Sequence, residues 1–264
     1  MQIRRQQTEA FEKAGVRNFE EGMVAHLNKF FPKHGKLLGE DQLRTVIKQG
    51  WQNANQHNLT AERSIRMYIE LMCLLGSGFD QDPQTPWAAD ILQGNPMAPQ
   101  AERIDRLYKQ GWQHAASVSA DYQDLLEGKR TERFVSALRA IRYERKEDLS
   151  PAEISDFSNR SILRLRLMFP SKCEYIGETC LRNLIQRGIE VAGQYGIASE
   201  RGIVLFIVIM FVVGSGFDTD PQLPWASRVL TDDKIADQSA KVDQLYAESL
   251  KCLKQWWGID TEQG

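Results

Sequence analysis

The chain lacks an excess of charge of either sign, and it lacks an apolar leader at its start. Its 264 residues include 33 basic and 35 acidic side chains, which gives a formal net charge of −2. Without a strong field of one sign, a phosphate backbone or an anionic lipid surface has little to attract it. Residues 1–10 are polar and lead into no hydrophobic segment of the kind that a secretory signal requires. We therefore expect a cytoplasmic protein that binds no nucleic acid.

Cysteine is scarce, and its spacing excludes two common frameworks. The four cysteines are Cys73, Cys173, Cys180 and Cys252. No two of them have the short paired spacing of a zinc site, and their apolar or helical surroundings do not suggest a disulfide framework. We expect free thiols and no metal.

The usual signatures of catalysis are also missing. The sequence has no Gly-x-Ser-x-Gly elbow, no His-Glu-x-x-His pair and no phosphate-binding glycine loop that ends in Lys-Ser or Lys-Thr. All four histidines, which are His26, His34, His57 and His114, lie in the first half of the chain. No cofactor is predicted, and a histidine-dependent site present in both halves is excluded.

What the chain does contain is an internal duplication. Adding 138 to a position in the first half gives its counterpart in the second, without a gap, from Phe19 and Phe157 to Tyr108 and Tyr246. Between residues 61–88 and 199–226, 16 of 28 positions are identical, which is far above chance. The sequence therefore predicts two copies of one structural unit.

Each copy is predicted to be helical, with about four helices. Leu43, Ile47, Trp51 and Ala54 recur at three- and four-residue spacing, whereas strand-like alternation is nearly absent. The Phe-Pro pairs at 31–32 and 169–170 should end the first helix of each copy, because the residue before proline is disfavoured in the helical region. Glycines 76 and 214 should end the third helix.

The segment between the copies has no counterpart inside the second copy. Phe134, Leu138 and Ile141 form an apolar stripe there, with arginines on the remaining surface. This pattern is typical of a connecting amphipathic helix. The predicted organisation is a first helical repeat (1–116), a connecting amphipathic helix (117–153) and a second helical repeat (154–264), packed as one two-lobed all-α domain.

Each copy is centred on the block Gly-Ser-Gly-Phe-Asp-x-Asp-Pro-Gln-x-Pro-Trp-Ala, at residues 76–88 and 214–226. Its glycines suit a helix stop, and each Asp-Pro pair resembles an N-cap followed by proline at the first helical position. The block is interpreted as a structural corner that also presents side chains for binding. The candidate binding residues are Phe79, Asp80, Asp82, Trp87, Phe217, Asp218, Asp220 and Trp225.

A sharper interpretation of the block assigns chemistry to its paired carboxylates. An Asp-x-Asp pair can ligate calcium, but an EF-hand loop needs further oxygen ligands and a late glutamate. Gln84, Pro86 and Trp87 do not supply that pattern. Metal binding and acid–base catalysis by Asp80 and Asp82, or by their counterparts, are therefore the weaker alternatives.

The two copies differ most along the helix before the block. The first copy has Arg66, Glu70 and Cys73 on one stripe, and the second copy has Val204, Val208 and Phe211 there. The resulting run 203–213 is apolar all round, yet its eleven residues are far fewer than the ~20 that span a bilayer. We expect a buried helix with no stable membrane insertion, covered first by the other copy, and otherwise by a homodimer contact or a partner. Trp51, Trp112, Trp256 and Trp257 are further candidate contacts.

The repeated block follows a helix rich in Met and aliphatic residues, and this combination resembles a segment of other bacterial proteins. Over residues 16–112 and 154–257 the chain resembles bacterial proteins, themselves uncharacterised, that are found with type VI secretion and polymorphic-toxin genes. The resemblance implies an accessory role, as an immunity protein or an effector-handling adaptor. It assigns no catalytic residue.

These observations lead to two functional hypotheses. The first is a non-enzymatic cytoplasmic protein that binds another protein, a secreted toxin or effector or its carrier. The second is a secreted effector or an enzyme that uses the duplicated Asp-x-Asp segment. A concave site with perturbed carboxylate pKa values would favour the enzyme, whereas carboxylates that bond backbone N–H groups would favour the binding protein.

Overall fold

The computed structural model describes residues 2–94, 97–127, 129, 131–235 and 237–258. Within these ranges the chain forms eleven α-helices and no β-strand, which confirms the predicted all-α class. The helices are α1 (Gln2–Phe30), α2 (Pro32–Gln56), α3 (Glu62–Leu75), α4 (Pro86–Gln93), α5 (Gln100–Leu126), α6 (Thr131–Ala140), α7 (Ile154–Met168), α8 (Pro170–Gln194), α9 (Glu200–Val213), α10 (Pro224–Leu230) and α11 (Gln238–Trp257). In this part of the chain no helix has the length and apolar character needed to cross a membrane.

The helix boundaries follow the duplication. Helices α2 and α8 each have 25 residues and begin at the proline of a Phe-Pro pair, as the sequence predicts. Both are kinked at a glycine with positive φ, 73° at Gly39 and 79° at Gly177. Helices α3 and α9 both end immediately before a glycine with positive φ, which confirms the predicted stops at Gly76 and Gly214.

The N-cap predicted at each Asp-Pro pair is wrong. Helix α4 begins at Pro86 after Thr85, and α10 begins at Pro224 after Leu223. The second Pro of each block, rather than the first, therefore takes the first helical position. The aspartates are engaged elsewhere, because each bonds to backbone groups of the other copy.

The predicted connecting helix is divided in the structure. Helix α5 runs past residue 116 to Leu126, and α6 is a separate helix that is followed by a 3-10 turn, Ile141–Tyr143. The predicted apolar stripe is real, since Phe134, Leu138 and Ile141 are all buried. The stripe packs into the core of the second copy, and the chain bends to bring it there.

The buried side chains form two hydrophobic clusters that follow the two copies. One contains residues between Met23 and Leu107, and the other contains residues between Leu125 and Leu253. Val208 of α9 lines one small cavity together with Phe134 and Leu138 of α6, so the segment between the copies covers the apolar helix. At Val208, the cover predicted from the first copy is supplied by this inserted helix instead. All four cysteines are free, and only Cys180 is not fully buried.

Candidate functional site

The two repeated blocks meet each other where α3 and α9 end. In one direction, the backbone N–H of Ser77 donates to Asp220 Oδ2 at 2.8 Å, and the Ser77 hydroxyl donates to Asp220 Oδ1 at 2.6 Å. The Gln222 side chain then donates to the carbonyl of Met72 at 2.8 Å. The second copy thus supplies acceptors and donors to the end of α3, whose last backbone groups have no partners within the helix.

The same bonds recur in the opposite direction. The Ser215 N–H donates to Asp82 Oδ2 at 2.7 Å, and the Gln84 side chain donates to the carbonyl of Met210 at 3.0 Å. Asp82 also accepts from the N–H of Gln84 within its own block, at 2.8 Å. We call this reciprocal set of bonds the joint; it consists of Ser77, Asp82, Gln84, Ser215, Asp220 and Gln222. The symmetry is broken at the serines, because the Ser215 hydroxyl has no hydrogen-bond partner, whereas the Ser77 hydroxyl donates to Asp220 and accepts from Gln222.

The glycines of the block allow the two backbones to approach. A Cβ built on Gly76 would lie 3.0 Å from the carbonyl oxygen of Val213, and a Cβ on Gly78 would lie 3.9 Å from the Cα of Gly216. Gly76 also has a φ of 98°, which side chains with a Cβ rarely adopt. Gly76 is therefore required by the contact between the copies as well as by the end of the helix, whereas a Cβ at Gly78 would make an ordinary van der Waals contact.

The first aspartate of each block bonds within its own copy. Asp80 lies 2.7 Å from Nε2 of His57, and Asp218 accepts from the Tyr195 hydroxyl at 2.9 Å. Positions 57 and 195 are counterparts, so the same carboxylate is satisfied by a different partner in each copy. Burial is the largest of the causes that raise the pKa of Tyr195 to about 12, and the bond to Asp218 adds to it.

The structure places most of the predicted binding residues in the interior. Phe79, Asp80, Asp82, Phe217, Asp218 and Asp220 are all buried. Trp87 and Trp225 are half-buried. The Trp87 indole N–H donates to Nδ1 of His114 at 3.4 Å.

The carboxylates of the joint are poor candidates for acid–base work. Burial raises the pKa of Asp82 and of Asp220, while the bonds they accept from Ser215 and Ser77 lower it. Each carboxylate is held by backbone N–H groups from its own block and from the other one. In the described ranges no group of three His, Cys, Asp or Glu side chains is placed to hold a metal ion.

A cavity of about 430 Å³ opens beside the joint. Asp82, Asp220 and both glutamines of the joint lie on its wall, and its apolar wall includes Leu75, Val213, Leu223 and Trp256. Its volume is within the range of small-molecule sites, roughly 300–1,000 Å³. Of the predicted binding residues, only Asp82 and Asp220 line it.

Three pairs of counterpart positions on the cavity wall differ in chemistry, Thr85 and Leu223, Val118 and Trp256, and the ionisable pair His34 and Lys172. The Lys172 ammonium donates to the carbonyl of Phe211 and lies 4.4 Å from the centre of the Phe211 ring. Burial lowers the pKa of Lys172 to about 8, and the negative charge of Asp82 opposes that shift. Burial also lowers the pKa of His34, and the backbone of Cys73 and the side chain of Gln222 oppose that shift.

A second candidate surface lies on the outside of the first copy. His26 is in ring contact with Phe30, and its Nε2 lies 2.7 Å from Glu70. Glu70 also accepts from the Tyr108 hydroxyl at 2.6 Å, and the Tyr108 ring contacts Trp112. We call these five residues the aromatic face. Phe30 is 58% exposed at one end of it, and Trp112 is 46% exposed at the other.

The corresponding face of the second copy is covered. Met168, the counterpart of Phe30, is buried, and so is Val208, the counterpart of Glu70. The Tyr246 hydroxyl, which corresponds to that of Tyr108, donates to the carbonyl of Leu138 in α6. One copy therefore has a helix packed on this face, while the other has exposed aromatic rings.

The chain matches no protein-family model, no curated protein and no solved structure.

Several of these residues were not predicted from the sequence as site residues. The sequence pattern suggests Gln84 only as a metal ligand, and it assigns no binding role to Phe30 or Lys172. The available signal was the comparison of counterpart positions, because His34 faces Lys172 and Phe30 faces Met168 in the duplicated frame. The side chain of Trp257, a predicted contact, lies outside the described part of the chain.

Proposed function

We propose that the protein is a non-enzymatic cytoplasmic binding protein that recognises a protein partner through the aromatic face of its first copy. The observation that carries this proposal is the contrast between the copies. The second copy buries the corresponding face under α6, whereas Phe30 and Trp112 remain exposed. Exposed aromatic side chains are enriched at the energetic centres of protein interfaces.

The second copy also indicates which kind of structural element the partner would place on the aromatic face. Helix α6 is short and amphipathic, and it contributes Phe134 and Leu138 to the buried core. A helical segment with a similar apolar stripe from another protein would fit the same scaffold, in the manner of a helix bound in a groove. Given the resemblance to proteins of toxin secretion loci, the partner is a toxin or effector, or its carrier, and the role is that of an immunity protein or an adaptor.

The joint supports this proposal over catalysis by the duplicated block. Asp82 and Asp220 accept hydrogen bonds from backbone N–H groups of both blocks. Asp80 and Asp218 are buried and do not line the cavity. An enzyme that uses both carboxylates of Asp-x-Asp would need Asp80 and Asp218 to reach a substrate as well, whereas only Asp82 and Asp220 line the cavity.

The proposal is tested by affinity purification from native cells, with tagged wild-type protein and with tagged variants of the aromatic face. We expect wild-type protein to capture one stoichiometric partner and the double variant Phe30→Ala/Trp112→Ala to lose it, because truncation of central interface aromatics commonly weakens binding by more than about 2 kcal/mol. Tyr143→Ala is the matched control, since Tyr143 is 88% exposed and lies outside the aromatic face. It should capture the partner normally.

A photo-reactive side chain placed at position 112 should also crosslink to the same partner, and one at position 143 should not. Thermal unfolding of each variant establishes that it is folded. Equal recovery by the double variant, or a folded wild-type protein with no stoichiometric partner, would contradict the proposal.

A further inference from the structure

We propose that the cavity between the copies is a binding site for a small neutral organic molecule that has an amide-type polar end and an apolar body. The site is separate from the aromatic face, and it does not depend on the proposed function. It is defined by an unpaired acceptor, a buried ammonium, two carboxylates and an apolar wall.

The unpaired acceptor is the side-chain oxygen of Gln84. This residue is only 5% exposed and lines the cavity. Its Nε2 donates to the carbonyl of Met210 at 3.0 Å and to Asp82 at 3.3 Å, so the orientation of the amide is fixed by two acceptors. Its Oε1 has no partner. A buried polar atom without a hydrogen bond is costly, and such atoms are rare in folded proteins.

The surroundings of the counterpart glutamine in the other copy show which residue is missing next to Gln84. The side chain of Gln222, the counterpart of Gln84, interacts with His34 and raises the pKa of that histidine, and its oxygen is not among the unpartnered buried atoms. In the second copy, position 172 is lysine, and its ammonium turns to the carbonyl of Phe211 instead. Replacing His34 by Lys172 therefore leaves one corner of the cavity with an acceptor that the chain itself does not fill.

The charges on the wall select a neutral ligand. Asp82 and Asp220 both line the cavity, so an anionic ligand would place a third negative charge beside them. Lys172 also lines it and is 7% exposed, and it donates to the carbonyl of Phe211, next to the Met210 carbonyl that Gln84 bonds. A cationic group placed at Gln84 would therefore lie beside a buried ammonium, although the two carboxylates would attract it. A neutral amide avoids both repulsions, because its N–H can donate to Gln84 and its carbonyl can accept from Lys172.

The remaining wall fits an apolar body. Leu75, Val213 and Trp256 contribute side chains to it, and Leu126, 61% exposed, is also part of the lining. Small-molecule sites commonly combine such a wall with a few fixed polar groups.

The test uses three probes of the same size that differ in charge. Benzamide, benzoate and benzylammonium are titrated into methyl-labelled protein, and binding is followed by NMR at Leu75, Val213 and Leu223. We expect benzamide to shift these methyl signals with a dissociation constant about tenfold lower than that of either charged probe, since one unmatched buried polar contact is worth roughly a factor of ten. Equal affinity for a charged probe, or no shift with benzamide, would overturn the proposal.

A matched pair of variants locates the binding. Val118→Trp places on α5 the residue that its counterpart, Trp256, already has, and position 118 lines the cavity. This change should fill the space and weaken benzamide binding by about tenfold or more without removing any bond of the joint. Ala116→Trp, on the same helix and exposed outside the lining, should bind as wild type does. Benzamide binding that survives Val118→Trp would place the ligand elsewhere and overturn the assignment.

Discussion

At the scale of single residues, counterpart positions show how one scaffold satisfies the same polar group in two ways. Asp80 is paired with His57, and Asp218 accepts from Tyr195. At another pair of counterpart positions, His114 accepts from the Trp87 indole, whereas its counterpart is Cys252. The scaffold tolerates either residue, so substituting one for the other tests a local environment with little change in packing.

His114 gives a pH dependence whose sign follows from its burial. Loss of hydration lowers the pKa of His114 from 6.5 to about 4, and the positive charge of Lys172 acts in the same direction. The unfolded chain therefore binds this proton at a higher pH than the folded protein does, and the free energy of unfolding falls as the pH falls from 6.5 towards 4. We expect His114→Cys to lose less stability than wild type over this interval, by at most about 3 kcal/mol.

Denaturant unfolding at several pH values between 7 and 4 measures this difference. Carboxylates titrate in both proteins, so only the difference between the two curves reports on position 114. Curves that stay parallel over the whole interval would show that His114 has the same proton affinity in the folded and unfolded chain.

At the scale of elements, helix α6 explains why α9 can be apolar all round. The stripe of Arg66, Glu70 and Cys73 in the first copy is closed by polar contacts from His26 and Tyr108. In the second copy, α6 takes that place. The two third helices therefore differ in sequence because different neighbours cover them.

Because different neighbours cover α3 and α9, an introduced aspartate should have different effects on the free energy of unfolding in the two copies. Val208→Asp places a carboxylate at a position that is 4% exposed and beside α6. We expect a loss of several kcal/mol of stability, because an unpaired buried charge is among the most costly substitutions. Arg66→Asp, on the same stripe of the first copy but at an exposed position whose counterpart is Val204, should change the free energy of unfolding by about 0.5 kcal/mol or less.

The free energies of unfolding of the two variants, measured in parallel by denaturant titration, provide the check. Similar losses in both would contradict the assignment of α6 as the cover of α9.

The elements that local sequence determines were predictable, and those that depend on distant contacts were not. The Phe-Pro pairs and the glycines at 76 and 214 act within one or two turns, so they revealed the helix boundaries. The N-cap at Asp82 was mistaken because the competing donor, the N–H of Ser215, is 133 residues away. A single helix is predicted for the connecting segment because its apolar stripe indicates periodicity but not where the chain bends.

At the scale of the whole molecule, the copies have kept their contact and changed their surfaces. The six residues of the joint are identical in type between the blocks, whereas His34 and Lys172, or Phe30 and Met168, have diverged. The duplication was evident from the sequence, but the pairing of the two blocks was not, since nothing in a repeated segment shows that its copies touch. The cavity was equally hidden, because it exists only between the copies.

The central claim is that the aspartates of the blocks hold the two copies together. A double-mutant cycle with Ser77→Ala and Asp220→Ala tests it through the free energy of unfolding. The Ser77 hydroxyl and the Asp220 carboxylate are 2.6 Å apart, so the pair should show a coupling energy of about 2 kcal/mol. The matched cycle with Ser215→Ala and Asp82→Ala should show almost none, because the Ser215 hydroxyl has no partner. Additive losses in the first cycle, or equal coupling in both, would contradict the joint as described.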